Sequence, residues 1–459
     1  MKKTTLSISL LVIILIVLAP LIGNSFMQKL INENIKNLAA NGIVLKSQKE
    51  QSSYLSTKKH FEFILKNSDA FVNYLRAYSK TKIPESVKTL FQRAIIGVDV
   101  EYSNIPFSKA IILEIYPRTF SKKLMQQMQV KSPDIYKHLK TFLDAKGILY
   151  HIEYNLLSED FSGFIQNIDD AYTLQKNKKI SMKLLDTHFR GNGNIIAPKS
   201  LKITVNTIKF NIQDAANNFT FNIDDLKSAS TFTSYTHYSS KSKIHHINLS
   251  LQTPKENVNI DINNLHVNSF SKNKDKKITL SSKTSIEDFK FHSQKVNFDI
   301  ENLNTHVSMQ GLEAKSFETF IKLFATSNKV NNALLQVELR SSLTHLLSHG
   351  FKIEIPDISC SKFTLNKVRD LGSVKINADI QIKEDKDLIE KLKISPMLLL
   401  SNLSAKADIK LANAMYLKII ENSPMAPTIA SYAKKDADSV YFHILFDDSR
   451  LMVNDKVIK

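Results

Sequence analysis

Between residues 200 and 310 one pattern is written three times, and it restricts the fold more than any other feature of the chain. Ile223-Asp224-Asp225-Leu226, Ile262-Asn263-Asn264-Leu265 and Ile300-Glu301-Asn302-Leu303 each follow an alternating run, namely Phe219/Phe221/Ile223, Val258/Ile260/Ile262 and Val296/Phe298/Ile300. The three leucines stand 39 and 38 residues apart. A period of two, with polar residues between the apolar ones, specifies a half-buried antiparallel strand. At the two polar residues before each leucine the apolar phase slips by one, since 258, 260 and 262 give way to 265 and 267. A bulge or tight bend that re-aims the side chains produces such a slip, and its recurrence marks a structural repeat.

The dry face of this sheet carries Leu201, Ile203, Val205, Ile208, Phe210 and Ile212 as well as the repeat residues. Leaving one such side chain exposed forfeits roughly 1.5 to 3 kcal/mol, so the face needs a cover. Either the helices that flank it in sequence lie over it, or the sheet curls around its own dry side and leaves a groove for acyl chains. Only 10 of the 459 residues are glycine and none is tryptophan. Asn, Asp and Ser must therefore supply most turns, such as Lys272-Asn273-Lys274-Asp275-Lys276-Lys277.

The chain begins Met1-Lys2-Lys3 and runs into Leu6 to Ile22, an apolar stretch broken only by Ser7, Ser9 and Pro20, which Phe26-Met27 extend. Leu6 to Met27, at about 1.5 Å per residue, matches the roughly 30 Å hydrocarbon core of a bilayer. Gly23 and Ser25 offer the small residues of an export cleavage site. The run is longer than a signal core, however, and Leu30, Ile31, Ile35 and Leu38 continue helical spacing beyond it. An uncleaved anchor is the expectation, with membrane contact through residues 6–27 and a stop at Asn41-Gly42, where glycine takes a left-handed cap. Signal-like geometry puts the body outside the cytoplasm, in the periplasm of a cell with two membranes.

The remaining elements follow from periodicity. Strands are expected over 43 to 66, with Phe61, Phe63 and Leu65 alternating, and Ser68 is placed to cap a helix carrying Phe71, Tyr74, Leu75 and Tyr78. Pro84 fits the first turn of a further helix with Val87, Leu90 and Phe91. Strands at 94–102, 110–116 and 148–157 surround helices near 118–128 and 134–145. Arg190-Gly191-Asn192-Gly193-Asn194 lacks the Lys-Ser/Thr of a phosphate loop and reads as a plain turn. Beyond the ladder, helices fill 314–349, strands recur at 353–358, 374–382 and 403–411, and Asp387 caps a short helix. Short helices at 415–420 and 428–433 precede a closing pair, Val440 to Phe446 and Leu451 to Ile458. The fold class is thus α+β and β-rich: an N-terminal transmembrane helix, then a long curved antiparallel sheet of repeated hairpins flanked by short helices. The segments are an anchor with its helical extension (1–42), a mixed α/β part (43–190), the ladder (191–312), and helices with completing strands (313–459).

Constellations that carry chemistry are weak. The net charge of +18 suits anionic lipid headgroups or an acidic partner, but the lysines are scattered and no nucleic-acid motif accompanies them. The lone Cys360 excludes an intramolecular disulfide and a multi-cysteine metal site. His345 and His349 have a metal-ligand spacing without the glutamate of HExxH, and thirteen histidines make that spacing unremarkable. His245 and His246 alternate across a strand. Asp224-Asp225 and Asp447-Asp448 sit where bends are expected. No catalytic, cofactor-binding or metal-ligating residue is assigned, and no cofactor is expected.

The ending Tyr441-Phe442-His443-Ile444-Leu445-Phe446-Asp447-Asp448-Ser449-Arg450-Leu451-Met452-Val453-Asn454-Asp455-Lys456-Val457-Ile458 resembles that of the bacterial YdgA-like family. Those proteins close on a strand written roughly D-G-x-L-x-V-N-G-K, which Leu451, Val453, Asn454 and Lys456 match, while Ser449 and Asp455 replace its glycines. Gly42 and Ser52-Ser53 loosely match the family's early Gly and Ser-Ser positions. The resemblance implies an inner-membrane, single-pass envelope protein with a β-rich periplasmic body, and it brings no catalytic residues. Its expected role is non-enzymatic binding or shielding of lipid or another amphiphile on the apolar sheet face. The alternative is a structural or interaction module that pairs its exposed sheet edges with an envelope protein.

Overall fold

The computed structural model describes residue 21 and residues 24–79, 89–105, 111–173, 178–195, 197–234, 236–327, 333–366, 369–421 and 423–458. Most of the expected anchor and the Pro84 helix lie outside them. Among the described residues no helix is long and apolar enough to cross a membrane. The chain divides into two units, Met1–Ile208 and Lys209–Lys459.

In the first unit, helix α1 (residues 24–40) ends where expected, at Gly42 with φ of 86°. A Cβ on Gly42 would lie 2.4 Å from the Asn67 carbonyl oxygen, so both conformation and space require glycine. Strands β1 (Ile43–Ser52), β2 (Ser56–Leu65), β3 (Ile95–Ser103), β4 (Ile111–Thr119), β5 (Tyr150–Tyr154) and β6 (Asp160–Ile165) pair antiparallel in sequence order. A β7/β8 hairpin (Ile168–Thr173, Lys179–Leu185) intervenes before β9 (Thr187–Gly193), which pairs with β6 and with the Pro198–Thr204 part of β10 (Pro198–Gln213).

Helices α2 (Ser68–Ser79), α3 (Lys122–Lys131) and α4 (Pro133–Asp144) accompany the sheet. The cap of α2 is Asn67, one residue before the expected Ser68, since its Oδ1 accepts from the Asp69 and Ala70 backbone N–H groups. The glycine segment expected as a turn is instead the end of β9. A Cβ on Gly191 would meet the Phe161 ring and the Ser200 carbonyl oxygen, each at 2.4 Å, so close packing between strands explains that glycine.

The second unit holds the ladder. Strands β11 (Asn218–Ser234), β12 (His237–Gln252), β13 (Asn257–Lys274), β14 (Lys277–Ser293) and β15 (Asn297–Glu313) pair antiparallel in order. Val296, expected to open β15, lies in the turn before it. The phase slip is resolved at a single residue in alternate strands: Asp225, Asn264 and Asn302 have φ of 51°, 52° and 53°. One left-handed residue per strand reverses the alternation, so both halves of each apolar set stay on one face.

These residues line up across the sheet. His245 Nδ1 lies 3.0 Å from Asn264 Oδ1, the Asn264 amide donates to Glu287, and Asn302 donates to Ser361 at 2.9 Å. The line is a crease, and Ser361 marks where the partner of β15 changes from β16 (Phe351–Cys360) to β17 (Lys362–Leu365).

Helices α5 (Ala314–Ser327) and α6 (Ala333–Ser348) pack on the far end of the ladder, where Ile278, Leu312 and Leu346 are buried together. Beyond β16 come β18 (Arg369–Asp370), which pairs with β17, then β19 (Val374–Ile382) and β20 (Leu403–Ala412), with α7 (Leu388–Ile394) between the last two. Helices α8 (Asn413–Glu421) and α9 (Ala426–Tyr432) form a core with Leu411, Tyr416 and Val440. Strand β21 (Lys434–Lys435) pairs with β22 (Ser439–Asp447), which also pairs with β20 and β23 (Arg450–Val453).

The stretch expected as one strand to Ile458 breaks at Asn454-Asp455 before β24 (Lys456–Val457), because both residues have positive φ, 48° and 67°. Asp448 and Ser449 form the preceding turn at 47° and 59°. Residues other than glycine in such conformations are strained. Ser449→Gly and Asp455→Gly should therefore each stabilise the fold, by up to about 1 kcal/mol, measured as a higher urea midpoint. An unchanged or lower midpoint for both would contradict the strain.

Candidate functional site

Apolar positions of β2 to β5 face α1. Cross-strand pairing sets Phe61 against Val98, Val98 against Ile115, Val100 against Leu113 and Leu113 against Ile152, so one side of the sheet is a field of branched and aromatic side chains. Helix α1 offers Met27, Leu30, Ile31, Ile35 and Leu38, at the 3.6-residue spacing noted in the sequence, and packs them on Phe61, Phe63, Val100 and Tyr102. One helix is about 10 Å wide and strands repeat every 4.8 Å, so α1 covers two or three of them.

The remainder is a trough of about 710 Å³ between α1 and the sheet, whose far wall is Leu113, Ile115, Ile152, Tyr154 and Leu156. That volume lies within the roughly 300 to 1,000 Å³ of small-molecule sites. The expected groove was on the ladder, and the trough was missed because Leu30 to Leu38 were read only as the anchor's extension. The apolar spacing of Leu30, Ile31, Ile35 and Leu38 beyond the expected span is the signal for it in the sequence.

Among the described residues the ladder's dry face is not enclosed. Phe221, Leu249, Ile260, Phe291, Phe298 and Leu365 form one cross-strand row; Ile223, Ile247, Ile262, Phe289, Ile300 and Phe363 form the next. The Phe298 ring stacks on Phe291 at 5.1 Å and on Phe363 at 6.0 Å. All twelve side chains remain half-buried, while α5 and α6 sit at the other end of the ladder. Cover by flanking helices, one of the two expected solutions, is therefore only local.

The opposite face of the ladder is polar. His246 Nε2 lies 2.9 Å from Asp261 and its Nδ1 3.4 Å from Asp224; His292 lies 2.7 Å from Asp299. Asp225 turns away to pair with Lys227 at 2.8 Å, so Asp224-Asp225 is not a joint carboxylate site. Asp447 and Asp448 both lie near Lys383. The His345 and His349 rings stack 4.9 Å apart, with His345 Nδ1 3.2 Å from Ser316 Oγ and His349 Nδ1 donating to the His345 carbonyl oxygen. Stacked rings do not converge on one ion. Among the described residues no group of three His, Cys, Asp or Glu side chains could hold a metal. Cys360 is buried, which pushes its thiol pKa up.

On the outer face of the first sheet, Lys146 donates to Asp99 at 2.7 Å and to Glu114 at 3.0 Å, and His60 lies 2.6 Å from Asp99. Burial opposes ionisation of Asp99, but these hydrogen bonds and the Lys146 charge hold its carboxyl below its ordinary value. Burial, then the Asp99 charge, pushes Tyr116 up to about 12. Each charge here has its partner inside the fold, so the network fastens the end of α4 to β3 and β4.

The fold and site define a class: open antiparallel sheets, apolar on one side and partly covered by helices among the described residues. Residues 156–441 match the bacterial family of unknown function DUF945, and the chain belongs to that family. Neither the curated proteins nor the solved structures contain a match. Of the C-terminal residues that carried the YdgA-like resemblance, Asn454 is buried. It accepts from the His443 backbone N–H and donates to the Tyr432 and Tyr441 carbonyl oxygens, so its role is to close the hairpin.

The hydrogen bond to Asp261 raises the His246 pKa; burial opposes this, and Asp224 adds to it. A raised folded value means the stabilisation is complete below about 6.5 and is lost as pH rises through the folded value. Urea midpoints should therefore fall over that interval in the native protein, and His246→Gln should flatten this part of the profile. An unaltered slope in the variant would show that His246 is not its source.

Proposed function

We propose that the chain is a non-enzymatic, membrane-anchored envelope protein that binds or shields a lipid or similar amphiphile, with its acyl part in the trough beside α1. The carrying observation is that trough: an apolar volume bounded by a helix on one side and by sheet residues such as Leu113 and Ile152 on the other. Each methylene removed from water contributes about 0.8 kcal/mol, so ten contribute on the order of 8 kcal/mol before association costs. The half-buried phenylalanine rows of the ladder are a second apolar surface of the same kind.

The apolar run Leu6 to Ile22 leads in sequence into α1, which supports an inner-membrane anchor next to the trough and a periplasmic body. The same reading is what the YdgA-like resemblance of the C-terminal residues implies. A variant lacking residues 1–27 should move from the membrane pellet to the supernatant on cell fractionation. Retention in the pellet would refute the anchor.

Native mass spectrometry of the full chain, extracted in mild detergent, should show a bound amphiphile of bacterial origin. Leu113→Trp, which fills the far wall, should reduce its occupancy at least tenfold while circular dichroism stays unchanged. Protein that carries no amphiphile, or equal occupancy in the variant, would overturn the trough as the binding site.

A further inference from the structure

The crease divides the polar face of the ladder into two halves of different charge. On the side of His246 and His292 acids and bases alternate: Lys290 on β14 stands between Asp261 on β13 and Asp299 on β15, and each aspartate also has its histidine. On the other side the register brings Lys241 on β12, Asn268 on β13 and Lys283 on β14 into one cross-strand row, and Lys243, His266 and Ser285 into the next. Alternation along each strand puts both rows on the same face, two residues apart. On β11 to β15 neither row, nor the next one outward through Ser239, Phe270 and Ser281, contains a carboxylate. The acids that border this half are engaged: Asp225 with Lys227 at 2.8 Å, Glu287 with the Asn264 amide, and Asp357, at the β16 end of the first row, with Ser359 at 3.1 Å.

Lys241, Lys243, Lys283 and Asn268 are exposed and His266 is half-buried. Burial and then the Lys283 charge lower the pKa of His306, the next member of the first row, against the pull of Asp357 and Glu354. Like charges gathered on one sheet face destabilise it, so three lysines around one asparagine mark a place for an anion that the chain does not supply. Lys241 and Lys283 stand two strands, or about 9.6 Å, apart, and their flexible four-carbon stems can bring both ammonium groups over Asn268 from either side. We propose that this cradle binds a diphosphate, one phosphate held over Asn268 by Lys241 and Lys283 and the other by Lys243 and His266. A single phosphate ester carries about 1.5 to 2 negative charges at pH 7, which leaves one of the three lysines uncompensated; a second phosphate takes it up. A soluble diphosphate ester and the head of a diphosphate lipid offer the same chemistry. The site lies on the polar face of the second unit and does not depend on the trough.

Full-length protein held in an amphipathic polymer is titrated by calorimetry with inorganic pyrophosphate, with orthophosphate and, below its micellar concentration, with dioctanoylglycerol pyrophosphate. Pyrophosphate should bind at least tenfold more tightly than orthophosphate. Lys241→Gln and Lys283→Gln, both at exposed positions, should each weaken it at least fivefold. Lys290→Gln removes the same charge from the other side of the crease and should change it less than twofold. Asn268→Asp, which supplies a carboxylate between the lysines, should abolish it. Equal affinity for the two inorganic ions, equal losses in Lys241→Gln and Lys290→Gln, undiminished binding by Asn268→Asp, or failure of both diphosphate probes to bind would overturn the site. The lipid probe reads the source through the binding that Lys241→Gln removes: tighter than inorganic pyrophosphate for a lipid head, equal or weaker for a soluble ester.

Discussion

A sheet that is polar on one side and apolar on the other must have its apolar side covered, and the rest of this structure depends on how incompletely helices do so. In the first unit α1 seals Phe61, Phe63 and Leu65 and leaves Leu113 and Ile115 half-buried along the trough. In the second, α5 and α6 bury Ile278 and Leu312 and leave the phenylalanine rows half-buried. Both follow from dimensions, since a helix about 10 Å across spans few strands spaced by 4.8 Å. Long ladders with few helices necessarily keep apolar surface in reserve.

Much of the ladder was legible in the sequence because a period of two is set locally. The slip before Leu226, Leu265 and Leu303 was readable as a bend, and the structure gives it a cause in the left-handed residues Asp225, Asn264 and Asn302. Aspartate and asparagine tolerate that conformation better than other non-glycine residues, which explains how a chain with ten glycines folds five long strands in step. What the pattern did not carry was the alignment of these bends into a crease. That depends on cross-strand bonds such as Asn264 to Glu287 and Asn302 to Ser361, between residues 23 and 59 positions apart.

The candidate site was much less legible, for a related reason. The residues of the trough lie on α1, α2, β1 to β5 and the segments that follow β5 and β9, and none of these is unusual alone. Leu30 to Leu38 carried helical spacing and β2 carried alternation, but only the packing of one on the other shows how much of the field stays uncovered. The stacked His345 and His349 show the reverse case, a spacing that suggests a ligand set while the rings lie face to face.

The two apolar surfaces differ in how much each would gain from an apolar occupant. On the ladder, the rings of Phe289, Phe291, Phe298 and Phe363 stack on one another across strands, so each already satisfies part of its contact within the sheet. In the trough, the walls belong to a helix and a sheet that face each other, and an acyl chain lying between them touches both. Dispersion contacts fall steeply with a gap of even 1 Å, so a two-walled trough gains more from an occupant than an open face does. The ladder's dry face beyond the crease grades into serine pairs such as Ser228 with Ser242 and Ser230 with Ser240.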